Sequence, residues 1–205
     1  MEKQKTKIAC IGDSITAGLH IEDLDDIYPV QLNHLLGCGY DVNPYFGKSG
    51  AAILRHCKGL FQVSYIETIQ CENACRWGAD VVVICLGTND TLSQSNDTFK
   101  KEFKEDYQKI LQKLIRNSPE ARAYICKIPP IFGPRNATYA AAVPGINELI
   151  SEVAASSGAI LIDLNTPFLS KPELFFDGIH PNENGAALIA RTVYEALKRQ
   201  EHERR

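Results

Sequence analysis

The chain has 205 residues, 44% of them hydrophobic and 23% charged, with 22 basic and 25 acidic side chains and a net charge of −3. At this length one domain can bury about 70% of the surface its unfolded chain exposes, so a single domain over 1–205 with a core over about 7–198 is expected. Mild acidity argues against a nucleic-acid partner, which would require clustered Lys and Arg to displace counterions. No run of 18 apolar residues occurs, and the polar start 1–7 leads straight into Ile8-Ala9-Cys10-Ile11. Neither a membrane partner nor an export signal is expected, and the chain as written is assigned to the cytoplasm.

In chain order, short β-branched runs alternate with longer segments of helical period, the pattern of an α/β fold with a mainly parallel sheet. Strands are expected over 7–11, 40–45, 80–86, 121–127 and 159–163. Their nearly continuous apolar centres, such as Val81-Val82-Val83-Ile84, suit strands covered on both faces. Helices are expected over 29–36, 98–115, 143–157 and from about 181 to 198, with Gly37 and Gly158 as stops. The ends, 1–6 and 199–205, are expected to fray. Seven cysteines cannot all pair within one chain, and Cys10, Cys85 and Cys126 lie in apolar runs, so most are expected to be reduced core residues. Cys71 and Cys75 would share a face if helical, but no second ligand pair at metal spacing accompanies them.

Chemistry concentrates in four loops. Gly12-Asp13-Ser14-Ile15-Thr16, Gly47-Lys48-Ser49-Gly50-Ala51 and Gly87-Thr88-Asn89-Asp90 follow the first three expected strands, and Asp177-Gly178-Ile179-His180-Pro181 precedes the last helix. In open parallel sheets ligands bind where such loops converge. A nucleophilic Ser14 would need a base, and the base would need a partner that fixes its tautomer. Of the five histidines, His34 and His202 are expected on the surface, and His20 and His56 remain open by position. Only His180 has a carboxylate three residues upstream in a tight turn, with helix capping before Pro181 as the alternative role for Asp177 or His180. The backbone N–H groups of Ser14 and Gly50 and the Asn89 amide could stabilise an oxyanion, although Gly50 also suits a turn and Asn89 a loop cap.

These four blocks, in this order over residues 8 to about 198, resemble the GDSL, or SGNH, hydrolase family. The resemblance implies a three-layer α/β/α sandwich with a five-stranded parallel sheet ordered 2-1-3-4-5, as in flavodoxin-like folds. It places Ser14 as nucleophile, Asp177 and His180 as the rest of a triad, and Ser14, Gly50 and Asn89 at the oxyanion hole. Asp13 and Asp90 are then supporting partners. Lys48 stands where relatives often carry a small or apolar residue, and Thr16 removes the Gly-x-Ser-x-Gly elbow of the α/β-hydrolases.

No metal or organic cofactor is implied. The expected activity is hydrolysis of a short acyl ester, an acetyl ester above all, on a carbohydrate or similar polar alcohol through an acyl-enzyme. The stretch from Ile162 to Asn182 is similar to carbohydrate and sialate O-acetylesterases of the family. Residues His20 to Tyr28, with the acidic run at 22–26, and the segment 129–133 are expected near the mouth. Lysophospholipase or thioesterase activity is the enzymatic alternative, and a non-catalytic carbohydrate-binding relative the other. A nucleotide-binding module is disfavoured because neither Gly-x-Gly-x-x-Gly nor a P-loop occurs. Oligomeric state leaves no signal in the sequence.

Overall fold

The computed structural model describes residues 4–56, 62–93 and 96–203. Strand β1 (Thr6–Gly12) leads into the one-turn helix α1 (Ser14–Ala17), then α2 (Tyr28–Leu36) and β2 (Tyr40–Gly47). Two short strands, β3 (Ala51–Ala52) and β4 (Val63–Ser64), pair in parallel before α3 (Ile69–Trp77). Next come β5 (Val81–Cys85), α4 (Asp97–Ile115), β6 (Arg122–Lys127), α5 (Ala137–Ser157), β7 (Ile160–Asp163) and α6 (Glu183–Glu203).

The main sheet is all parallel and ordered β2-β1-β5-β6-β7, which is 2-1-3-4-5 when the two-residue strands are set aside. Alternate residues of each strand feed opposite faces, which is why the strands read as unbroken apolar runs. Ala9, Ile11, Val82, Ile84 and Ile125 pack under α3, α4 and α5. Ile8, Cys10, Val81, Val83, Tyr124, Cys126 and Ile162 pack under α2 and α6. Pairing of β1 with β2 slips between Ala9↔Asn43 and Ile11↔Phe46, so β2 carries one extra residue there. Pro44 falls in this bulge on the edge strand, where a missing N–H is tolerated.

Several expectations need correction. Helix α3 was not foreseen, and α5 starts six residues before the expected 143, carrying Pro144 inside it. The first residue of the last helix is Glu183, because Pro181 is held in an antiparallel bridge to Phe175 and Asn182 Oδ1 caps the helix by accepting from Gly185 N–H at 3.0 Å. Nor do residues 199–203 fray: they continue α6, where the Lys198 ammonium donates to the Tyr40 hydroxyl at 2.8 Å and to Glu201 at 3.1 Å. Thr6 likewise belongs to β1, paired with Tyr40. Cys10, Cys71, Cys75, Cys85 and Cys126 are buried unpaired thiols and Cys38 is an exposed one, while Cys57 lies outside the described residues. No helix among the described residues is long and apolar enough to cross a membrane.

Candidate active site

The loops leaving β1, β2 and β5 and the loop before α6 meet at the carboxyl edge of the sheet. Asp13 caps α1: its Oδ1 accepts from Ile15 N–H at 2.9 Å, which fixes Ser14 as the first helical residue. Ser14 Oγ lies 2.9 Å from His180 Nε2, and His180 Nδ1 lies 2.7 Å from Asp177 Oδ2. The other Asp177 oxygen accepts from the backbone N–H groups of Ile179 at 2.9 Å and His180 at 2.8 Å. Burial works to raise the Asp177 pKa, but these backbone donors and the His180 ring outweigh it and hold the carboxyl below its usual range. A carboxylate that stays ionised fixes the imidazole with its Nδ1 proton toward Asp177 and its Nε2 lone pair toward Ser14.

The 177–180 loop is bolted to the loop after β6. Phe132 N–H donates to the Gly178 carbonyl at 2.8 Å, and Asn136 Nδ2 donates to the carbonyls of Phe132 at 2.8 Å and Asp177 at 3.0 Å. Gly178 has φ 84°, and a Cβ there would sit 2.2 Å from the Phe132 oxygen, so only glycine permits this approach.

Around the serine, Asn89 Nδ2 donates to the Ala51 carbonyl at 2.8 Å, tying the loop after β5 to the loop after β2. Gly50, with φ 78°, turns the latter loop and its carbonyl accepts from Val63 N–H at 3.1 Å. Lys48 contributes backbone, donating to the Gly12 carbonyl at 2.9 Å and accepting from Ala51 N–H at 3.0 Å. Asp90 is buried and accepts from Ile53 N–H at 3.0 Å and Leu54 N–H at 3.0 Å. Burial pushes its carboxyl up to about 6 against those hydrogen bonds. Burial likewise pushes Asp13 up to about 7, opposed by the Ile15 N–H and by the Thr88 side chain.

Beside Ser14 and His180 opens a cavity of about 140 Å³, walled by Thr88, Asn89 and Thr91 and by Leu92, Ile131, Tyr139 and Ile179. Of the expected mouth residues, Ile131 lines this cavity, while Tyr28 is buried beneath the site, its hydroxyl 3.3 Å from Thr16 Oγ1. The acidic run is exposed at 22–25 and half-buried at Asp26, with Asp23 Oδ1 accepting from Asp25 N–H in a 3₁₀ turn, and it contributes no wall to the cavity. Tyr139 was missed because it lies before the expected start of its helix at 143, and Leu92 because a single loop leucine looks the same whether it faces core or cleft. His20, open by position, falls beside the site: its Nε2 is 3.7 Å from Asp177 Oδ2 and its ring meets that of His180 edge-on at 5.2 Å.

A three-layer α/β/α sandwich thus sets Ser14, His180 and Asp177 in one hydrogen-bonded series at the carboxyl edge of its parallel sheet. The chain belongs to the GDSL-like lipase/acylhydrolase family, whose profile matches residues 10–188. It is similar to an acetylxylan esterase of Xylanibacter ruminicola, 33% identical over 212 residues, covering 94% of this chain and 43% of that protein. The chain thus spans less than half the length of this relative. In fold it is similar to the aryl esterase of M. smegmatis, with a TM-score of 0.76 at 16% identity over 94% of this chain and 98% of that one. A carbohydrate acetylesterase from Sinorhizobium meliloti gives 0.71 at 16% identity over 96% and 100%.

Proposed function

We propose that this chain is a serine esterase that removes short acyl groups, acetyl above all, from a carbohydrate or a similar polar alcohol. The observation that carries the reading is the relay Ser14 Oγ–His180 Nε2 at 2.9 Å and His180 Nδ1–Asp177 Oδ2 at 2.7 Å. His180 takes the Ser14 proton as Oγ attacks the ester carbonyl, and ionised Asp177 stabilises the imidazolium that results. The tetrahedral oxyanion is met by the backbone N–H groups of Ser14 and Gly50 and by the Asn89 amide. Collapse expels the alcohol, which receives the proton from His180 and leaves an acyl-Ser14 ester. Water, deprotonated by the same imidazole, then attacks that ester, releasing the carboxylic acid and restoring the serine. Asp13 and Asp90 support the frame, the first by capping α1 and the second by holding the loop that carries Gly50.

The carbohydrate alcohol is supported by the likeness to the acetylxylan esterase, a match that covers 94% of this chain. Ser14→Ala is expected to lower kcat on p-nitrophenyl acetate and on acetylated xylan fragments by about 10⁴-fold or more. Turnover near the parent's would overturn the assignment, and activity on the aryl ester with none on acetylated sugars would overturn the choice of alcohol.

A further inference from the structure

His20 plays no part in the relay, yet its backbone is held at φ 76°, in the left-handed region that residues with a Cβ rarely adopt. The strained turn puts the imidazole between the Phe176 ring, 6.0 Å away, and the His180 ring, 5.2 Å away. Its Nε2 stops 3.7 Å from Asp177 Oδ2, too far for a hydrogen bond. That spacing is close to the edge of a tetrahedral metal site, where bonds of about 2.0–2.2 Å set neighbouring ligand atoms roughly 3.3–3.5 Å apart.

One ligand atom each from His20, Asp177 and His180 lie within 4.8 Å of one another, two imidazoles and a carboxylate. We propose that these three residues form a binding site for a borderline divalent transition ion such as zinc, and that the bound ion switches off the relay that the proposed esterase activity rests on. The donor set selects the ion: imidazole with carboxylate suits zinc or copper and offers too few oxygens for magnesium or calcium. Asp177 stays ionised, held by its backbone donors, and so supplies the negative charge without a change of protonation. Side-chain exposures of 48% for His20 and 43% for Asp177 leave the approach open to solvent. An ion on Asp177 Oδ2 opens that oxygen's 2.7 Å hydrogen bond to His180 Nδ1, which orients the ring. Coordination through Nδ1 sends its proton to Nε2 or to solvent, and coordination through Nε2 takes the lone pair that accepts the Ser14 proton. Either capture stops proton transfer, and release of the ion restores it.

The test is a zinc chloride titration of the full chain, followed by calorimetry and by hydrolysis of p-nitrophenyl acetate, for the parent, His20→Gly and His20→Asn. Glycine and asparagine both accept the left-handed turn, so neither variant disturbs the fold. Each chain is scaled to its own metal-free rate. In the parent, inhibition should track the binding of one ion, reverse with a chelator and be absent with magnesium at the same concentration. Loss of one ligand of three should weaken both the heat signal and the inhibition by at least about tenfold in both variants. Equal zinc affinity and equal inhibition in parent and variants, or no binding heat in the parent, would overturn the site. Calorimetry decides the site even on a chain without esterase activity, and metal-free hydrolysis decides the esterase reading without zinc.

Discussion

Two buried acids, Asp13 and Asp90, sit directly behind the residues that would do the chemistry, and burial keeps both partly protonated near neutrality. Their ordinary value is 3.8, and in the folded chain they are pushed up to about 7 and about 6. Between these limits the folded chain binds more protons than the unfolded chain, so their contribution to stability is complete below about pH 4 and is lost as pH rises through 6 to 7. Asp177 is shifted the other way and acts only at or below the usual carboxylate range, outside that window. Asp13→Asn keeps an oxygen for the Ile15 N–H and removes the titration. Whatever constant offset the amide brings, its unfolding free energy should decline less between pH 5 and 8, with a slope difference on the order of 1–3 kcal/mol over that range. Urea unfolding at pH 5, 6.5 and 8 measures this, and a parent-like slope in the variant would refute the account. The motif blocks marked both acids as supporting residues because their positions are fixed next to Ser14 and Asn89. Their burial was not legible, since it depends on Ile53, Leu54 and Thr88 closing over them from other loops.

Strands and the long amphipathic helices were legible because their periods are strong: α4 buries Phe99, Phe103, Tyr107, Ile110, Leu111 and Leu114 on one stripe. Helix α3 escaped because the face it buries is only Cys71, Ala74 and Cys75, too small to stand out as a stripe. The charged end of α6 looked frayed by composition, but long side chains lie along apolar surface, and Lys198 sits 4.5 Å over the Tyr40 ring. Loops carry a different kind of information, in single residues rather than periods, and Gly178 is the sharpest instance. Gly178→Ala must adopt φ 84° and drive its Cβ against the Phe132 carbonyl, so the loop shifts and carries Asp177 and His180 with it. A displacement of about 1 Å at such a site costs about 10²-fold in kcat. Gly158→Ala is the matched control: φ is 73° and nothing lies within 4 Å of the added Cβ, so it bears the backbone strain without moving the site. Steady-state kinetics beside thermal melts on the pair should show both chains folded and only the Gly178 variant impaired. Equal activity in the two would remove the role assigned to the Gly178 approach.

Sheet order could not come from periodicity, because a run such as Val81-Val82-Val83-Ile84 suits any interior position; it was implied by the family resemblance and is what the register displays. The order matters because it sets β1 between β2 and β5, so that Ser14, Gly50 and Asn89 arrive at one edge from adjacent strands while α5 brings Tyr139 across from the far side. The resulting cavity is small as well as apolar on one wall, about 140 Å³ against the roughly 300–1,000 Å³ of pockets that enclose drug-sized ligands. An acetyl group fits beside Ser14 with room for part of the alcohol, whereas a long chain must leave the cavity or displace Tyr139. On p-nitrophenyl esters kcat/KM should therefore fall at least about tenfold from acetate to octanoate. Tyr139→Ala should narrow that ratio by raising the octanoate rate, since the ring is the bulkiest wall. Flat or rising kcat/KM with chain length in the parent would instead favour the lysophospholipase or thioesterase reading, and an unchanged ratio in the variant would move the limit to Leu92, Ile131 or Ile179, which form the rest of that wall.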